Sequence, residues 1–273
     1  MSDAVGSGVT ARLFGLKGAM MRFKKGSIEL SHAQDYPLLR QVMHCKFVSH
    51  DQAFEFMRIG CHELDRDCFN WRIKRLVTHE LLLRYHLPAV ASAFIYSIGS
   101  FGALRLQGMG EYYCGPLRGL GKKIDEVSCF HSLELNDIHL ALARRNLVEE
   151  WTSEVEIRSM NELTNTGYAK DYDAIVTLRD RSVRSRFALE YERSPKPLRD
   201  YAKIRQAIDT EDQVDVFLYL VPNHHLMAFV GECFSGTRRR LYFGLAHELA
   251  ELGLEATVVE ASTGNRKVLG EAL

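Results

Sequence analysis

Residues 173–196 read DAIVTLRDRSVRSRFALEYERSPK, and the organisation of the chain can be worked outward from them. Two strand-like runs, DAIVTL and RFALEYE, are joined by a tight, arginine-studded polar turn. Asp173 opens the first run, and Glu190 and Glu192 close the second. Alternate side chains of a strand share a face. Glu190 and Glu192 are therefore expected to point one way, with Phe187, Leu189 and Tyr191 pointing into a core on the other. Placed beside Asp173, they form a carboxylate cage of the kind that holds a hard divalent cation, Mg²⁺ or Mn²⁺, against a phosphate. The chemistry indicated is that of phosphodiester bonds.

The rest of the composition sets bounds. A chain of 273 residues with 46% hydrophobic and 26% charged residues has room for two domains with real cores. No apolar run reaches the roughly 18 residues a membrane span needs, and no signal-peptide pattern is seen, so no membrane partner is expected. The six cysteines include no CxxC pair, which reads as reduced thiols and a cytoplasmic location. Cys61, His62 and Cys68 are too loosely spaced for a usual structural zinc site.

Formal net charge is zero, yet the positive charge is clustered. Residues 1–33 form a basic, glycine-containing arm with Arg12, Lys17, Arg22, Lys24 and Lys25. A second cluster is Arg179, Arg181, Arg184 and Arg186, and a third is Arg238, Arg239 and Arg240. Such clusters attract a phosphate backbone, although each also reads as an ordinary solvated surface.

Residues 34–110 read as three helices and then a hairpin. The first helix carries Leu38, Leu39, Val42 and Met43 at helical spacing. The second starts at a capping box, Ser49 with Gln52 three residues later, and stops at Gly60. The third spans 67–78, with Phe69, Ile73, Leu76 and Val77 on its apolar face and Arg72, Lys74 and Arg75 expected outward. Strands at 81–85 and 93–97 around Pro88, and a short helix at 101–106, complete the unit. This is the order of a winged helix-turn-helix, whose third helix enters the major groove of DNA; a small dimerisation subdomain is the alternative. A glycine-rich linker is expected over 111–130.

Residues 131–273 read as an α/β unit. An amphipathic helix at 131–149 precedes a strand at 151–158 that would carry Glu154 and Glu156 on one face. The two strands of the opening stretch follow, and then a helix over 198–208, with Lys196, Arg199 and Lys203 about one turn apart. The apolar run 214–221 is expected to be a strand buried on both faces. His224 and His225 read as loop, 236–252 as helix and 256–260 as a last strand.

Three passages carry a family resemblance. FNWRIKRLVTHELL with FIYSIGSFGALRL resembles a recognition helix, wing and closing helix. FHSLELNDIHLAL resembles the entry to a second domain. DAIVTL…FALEYERSPKPLRDYAKI resembles an Asp strand, a Glu strand and a helix with basic residues. Together, over about residues 35–208, they resemble the replication-relaxation family, which includes mobilisation relaxases of the MobC type. That resemblance implies a winged helix followed by a mixed-sheet, restriction-endonuclease-like domain of the PD-(D/E)XK type.

It further implies a DNA partner, held by Arg72, Lys74, Arg75, Arg179, Arg181, Arg184, Arg199 and Lys203. Asp173 and Glu190 would be the metal ligands, and Glu192 and Lys196 further catalytic residues. Glu192 stands where the motif has lysine, so either Glu192 takes a proton from water or Lys196 supplies the missing cation. A nuclease fold kept only for binding is the alternative. Winged-helix proteins often form homodimers, but no heptad or exposed apolar stripe argues for one here.

Overall fold

The computed structural model describes residues 27–87, 94–112, 124–179 and 185–273. The cations of the basic arm from Arg12 to Lys25, Pro88 of the hairpin, the linker residues 113–123, and Arg181 and Arg184 lie outside the described residues. Among the described residues the chain is mixed α/β, with one three-stranded and one seven-stranded sheet. None of their helices is long and apolar enough to cross a membrane.

In the N-terminal part, α1 (Asp35–Cys45), α2 (His50–Ile59) and α3 (Arg66–Thr78) surround a core of Leu38, Leu39, Val42, Met43, Phe69, Ile73 and Leu76. The capping box forms: Gln52 N–H donates to Ser49 Oγ at 3.2 Å, and Ser49 N–H to Gln52 Oε1 at 3.1 Å. Asp65 caps α3 by accepting from Cys68 N–H at 2.7 Å. Strands β1 (Val48–Ser49), β2 (Leu82–Tyr85) and β3 (Ile95–Ile98) make an antiparallel sheet in the order β1-β3-β2. Helix α4 (Ser100–Gln107) then packs against the turn before β2. A Cβ on Gly99 would lie 2.2 Å from the Glu80 carbonyl oxygen, and one on Gly102 2.2 Å from that of Leu81. Only glycine permits that approach.

The C-terminal part begins with α5 (Glu126–Arg144), which opens inside the expected linker. Strand β4 (Val148–Ser153) leads into α6 (Glu154–Leu163), and β5 (Ala174–Leu178), β6 (Arg186–Tyr191) and α7 (Leu198–Thr210) follow. Next are β7 (Val216–Val221), α8 (His224–Cys233), β8 (Arg240–Leu245) and α9 (Ala246–Leu252). Strands β9 (Thr257–Glu260) and β10 (Arg266–Val268) and α10 (Leu269–Ala272) close the chain. The sheet order is β10-β9-β8-β7-β6-β5-β4, parallel across β6-β7-β8 and antiparallel elsewhere.

Period-2 patterning sends alternate side chains into two cores. Ile175, Ala188, Phe217, Tyr219 and Phe243 pack with Tyr201 of α7 and Val230 of α8. Val176, Phe187, Leu189, Leu218 and Tyr242 pack with Ile138 and Leu142 of α5 and Leu249 of α9. Helix α5 also joins the two parts. Gln52 Nε2 donates to the Leu133 carbonyl at 2.8 Å and Asp137 Oδ1 at 2.7 Å, and Asn136 Nδ2 donates to the Phe47 carbonyl at 2.8 Å.

Several expectations are corrected. Glu154 and Glu156 do not ride a strand: Ser153 and Glu156 form a second capping box, which ends β4 and starts α6. His224 and His225 open α8, because Asn223 Oδ1 accepts from Leu226 N–H at 2.9 Å. The helix expected over 236–252 is instead a turn, then strand β8 over Arg240–Leu245, and helical only from Ala246. Arg72 does not face outward. It is buried, donating to Asp35 Oδ1 at 2.7 Å and Glu63 Oε2 at 3.0 Å, and Arg75 also pairs with Asp35. Of the three basic residues, Lys74 is the exposed one.

Candidate active site

Asp173 immediately precedes β5, and Glu190 is the penultimate residue of β6. The two strands are antiparallel with Ala174 opposite Leu189, so the next step along the register brings Asp173 beside Glu190. Both follow the alternation of Ile175 and Ala188. In the other direction Glu190 lies level with Tyr219 of β7.

Each carboxylate has its own partners. Asp173 Oδ2 accepts from the Tyr191 N–H at 2.7 Å and lies 3.3 Å from His131 Nε2, which also donates to the Tyr191 carbonyl at 3.0 Å. Glu190 pairs with Lys170, whose ammonium also sits 4.7 Å from the centroid of the Tyr172 ring. Glu192 is 4% exposed and accepts from Tyr219 Oη at 2.8 Å and Lys196 Nζ at 2.9 Å. Lys196 is steadied through its backbone N–H, which donates to Tyr201 Oη at 3.0 Å.

These surroundings push the two facing carboxyls apart in acidity. Burial drives Glu190 up to about 7; Asp173 adds to the rise, against opposition from Lys170 and Lys196. For Asp173, burial acts upward, but the hydrogen bond and charge of His131, the charge of Lys170 and the Tyr191 N–H together hold it below its usual value. Lys196 is desolvated, which favours its neutral form, yet the carboxylates of Glu192, Glu190 and Asp173 raise it and keep it charged. Two adjacent acids separated in this way, with charged lysines beside them, form a site suited to binding a cation or moving a proton.

The expected cage is therefore narrower than its sequence outline. Among the described residues no group of three or more His, Cys, Asp or Glu side chains is arranged to hold a metal ion. Asp173 and Glu190 make a two-carboxylate face, while Glu192 is turned to Tyr219 and Lys196. Such a face fits Mg²⁺, which is commonly held by one or two carboxylates with substrate phosphate and water completing its shell. Neither Arg186 nor Arg193 pairs with Glu190: Arg186 bonds Tyr168, and Arg193 Nε reaches Glu134 Oε1 at 3.1 Å. Lys170 and His131 belong to the site and were missed from sequence. Lys170 could have been suspected from its place three residues before Asp173, whereas His131 carries no local signal.

The remaining expected DNA contacts are dispersed. Arg179 bonds Asn146, and Arg199 and Lys203 are exposed on α7. Arg239 and Arg240 are turned to main-chain carbonyls, Arg239 to Val214 at 2.8 Å and Arg240 to Ala272 at 2.8 Å. No protein-family model, no curated protein and no solved structure matches the chain.

Proposed function

We propose that this is a DNA-binding protein whose C-terminal part is a metal-dependent, restriction-endonuclease-like phosphodiesterase, recruited by an N-terminal winged helix-turn-helix. The observation that carries it is the pairing of Asp173 with Glu190 across adjacent strands, with Lys196 charged beside them. Apart from α6, inserted between β4 and β5, the order α5, β4, β5, β6, α7 and β7, with its antiparallel-to-parallel switch at β6, supports the fold assignment. Three helices followed by a hairpin support the winged helix. The resemblance to the replication-relaxation family supports a role in plasmid or mobile-element DNA processing.

Asp173 and Glu190 would hold Mg²⁺ or Mn²⁺. A bound ion of that kind supplies Lewis-acid polarisation of the phosphate and a more acidic water. Lys196, held by Glu192, places a fixed positive charge next to the carboxylates, where it can receive a phosphate oxygen and orient water. Of the two roles left open by the sequence, the hydrogen bond of Glu192 to Tyr219 and its ion pair with Lys196 favour the lysine as the working group. Metal binding requires both carboxylates ionised, so Glu190 makes Mg²⁺ affinity rise with pH through about 7.

The test is nicking of supercoiled plasmid with Mg²⁺ or Mn²⁺, comparing wild type with Glu190→Ala. Removing the carboxylate should slow cleavage by on the order of a thousandfold. Equal nicking by the variant, or none by wild type on DNA that it binds, refutes the enzyme reading. A second reading, DNA binding without cleavage, is favoured by the pairing of Glu190 with Lys170, which already neutralises that carboxylate from within the chain. It predicts DNA affinity indifferent to Mg²⁺ and to Asp173→Ala.

A further inference from the structure

Between α3 and the β2–β3 hairpin lies a cleft of about 720 Å³, distant in sequence from the carboxylates. Its floor is Ile73 and Val77, its α3 wall carries Asn70 and Lys74, and its hairpin side carries Arg84 and Phe94. Arg84 lies over the Phe94 ring, 4.7 Å from its centroid. The acidic residue of the lining, Asp51, is paired with Arg66. An apolar floor, an exposed aromatic ring and a cationic rim together complement a nucleotide, which presents a flat π surface beside a phosphate.

A hydrogen-bond relay fixes the polar group in this cleft. Tyr96 is 2% exposed, and its hydroxyl lies 3.0 Å from His50 Nδ1. His50 Nε2 lies 2.9 Å from Asn70 Oδ1. A phenol that donates to Nδ1 leaves the proton of the neutral ring on Nε2. Nε2–H then donates to Asn70 Oδ1, which leaves the Asn70 NH₂ group to the cleft. Asn70 thus presents donors and has its acceptor engaged, so the group it can read is a carbonyl oxygen or an unprotonated ring nitrogen.

We propose that this cleft receives one unstacked nucleobase of a DNA strand, seated against Phe94 and read at an acceptor edge by the Asn70 amide. The inference rests on the DNA-binding reading above and deepens it, by adding an unpaired-base site to a helix otherwise expected to read the major groove. Lys74 and Arg84 are placed to receive the flanking phosphates.

The experiment uses the full chain with 2-aminopurine, a fluorescent base, in three oligonucleotide forms: fully paired, bulged at the probe, and single-stranded. Anisotropy gives affinity, and quenching reports stacking of the probe. Expected are probe quenching in the bulged form and at least a tenfold preference for it over paired DNA. Phe94→Ala should lose most of that preference, and Asn70→Ala should reduce it. Asn70→Asp should weaken binding of acceptor-edged bases further, since it replaces a donor by an acceptor. Trp71→Ala, on the same helix but outside the cleft lining, should leave the preference intact. Circular dichroism confirms folding; Phe94, Asn70 and Trp71 are all exposed, so these changes spare the core. Tight binding of paired DNA with no preference and no quenching overturns this inference and leaves the DNA-binding reading standing. A preference that survives Phe94→Ala also overturns it. Absence of binding to every DNA form removes both.

Discussion

Replacing Asp35 with alanine tests the inward orientation of the third helix. Asp35 is fully buried and accepts from Ser31 N–H at 2.8 Å, from Arg72 Nη1 at 2.7 Å and from Arg75. Removing one partner of a buried ion pair costs about 3–5 kcal/mol, because the remaining charge loses its compensation without regaining water. Two features here moderate that cost. Arg72 keeps Glu63 at 3.0 Å, and the Arg75 side chain is 24% exposed, so water can reach it. The expected loss is therefore near the lower end, about 3 kcal/mol, or a fall in Tm of roughly 6–12 °C for a chain of this size. Thermal and urea unfolding followed by circular dichroism give the value. Asp35→Ala combined with Arg72→Met, which replaces the stranded cation by an apolar chain, should recover part of the loss. A cost under about 1 kcal/mol for Asp35→Ala would refute the reasoning. So would an Arg72→Met variant that lost DNA affinity without losing stability, since Arg72 would then be a surface contact. Burial acts to raise Asp35, but the Ser31 N–H, Arg75 and Arg72 hold it below its ordinary value of 3.8. Its ionised form therefore stabilises the fold fully above about pH 4, and that contribution fades as pH falls through the lowered native value. The gap between wild type and Asp35→Asn should narrow in the same window.

Glu190 has the opposite linkage. With its native pKa raised from 4.5 to about 7, the folded chain binds more protons than the unfolded one between those values, so its contribution to stability falls as pH rises across them. Glu190→Gln should thus unfold at higher urea than wild type at pH 8, by up to about 3 kcal/mol, with the advantage gone near pH 4.5; a variant less stable at pH 8 contradicts this. Gly102→Ala forces a Cβ to within 2.2 Å of the Leu81 carbonyl oxygen and should cost about 1–3 kcal/mol in thermal unfolding; an unchanged Tm would mean that α4 yields freely at this contact. Ser153→Ala removes the cap at the start of α6 and should cost about 1 kcal/mol, with a smaller loss for Ser153→Thr, whose hydroxyl can still accept.

The local parts of this fold are legible where neighbours in sequence determine them. Ser49 and Gln52 declare a helix start because the capping box is complete within four residues. The two strands on either side of the arginine-rich turn show themselves as short, mostly apolar runs, and the all-apolar 216–221 run reads as the buried strand that it is. Failures occur where the deciding partner is remote or the pattern is continuous across a boundary. Arg72 falls at helical spacing from Phe69, Ile73 and Leu76, on the face that turns inward; charge alone sent it outward, since its partner Asp35 lies on another helix. RLYFGLAHELAEL carries apolar residues straight from β8 into α9, so a single helix absorbed both. At the site, Asp173 and Glu190 could be paired from the hairpin pattern. His131 reaches Asp173 only through the packing of α5 on the sheet, which no short stretch of sequence encodes.

That helix has a mechanical consequence. Along α5, His131 touches the aspartate at the start of β5, Leu133 and Asp137 receive Gln52 of α2, and His139 is stacked on Trp151 with a centroid separation of 4.0 Å and lies 5.0 Å from Phe56. A helix advances about 1.5 Å and turns about 100° per residue, so these attachments have a fixed pitch and phase. The protein is in this respect a caliper: one jaw is the helix-and-hairpin unit, the other the carboxylate pair, and α5 is the bar between them. The separation of the two jaws and their relative turn are set along this helix. Adding one residue to the bar between positions 133 and 137 would turn Asp137 by about 100° against Leu133, so that Gln52 could no longer meet both and the two jaws would lose their common setting.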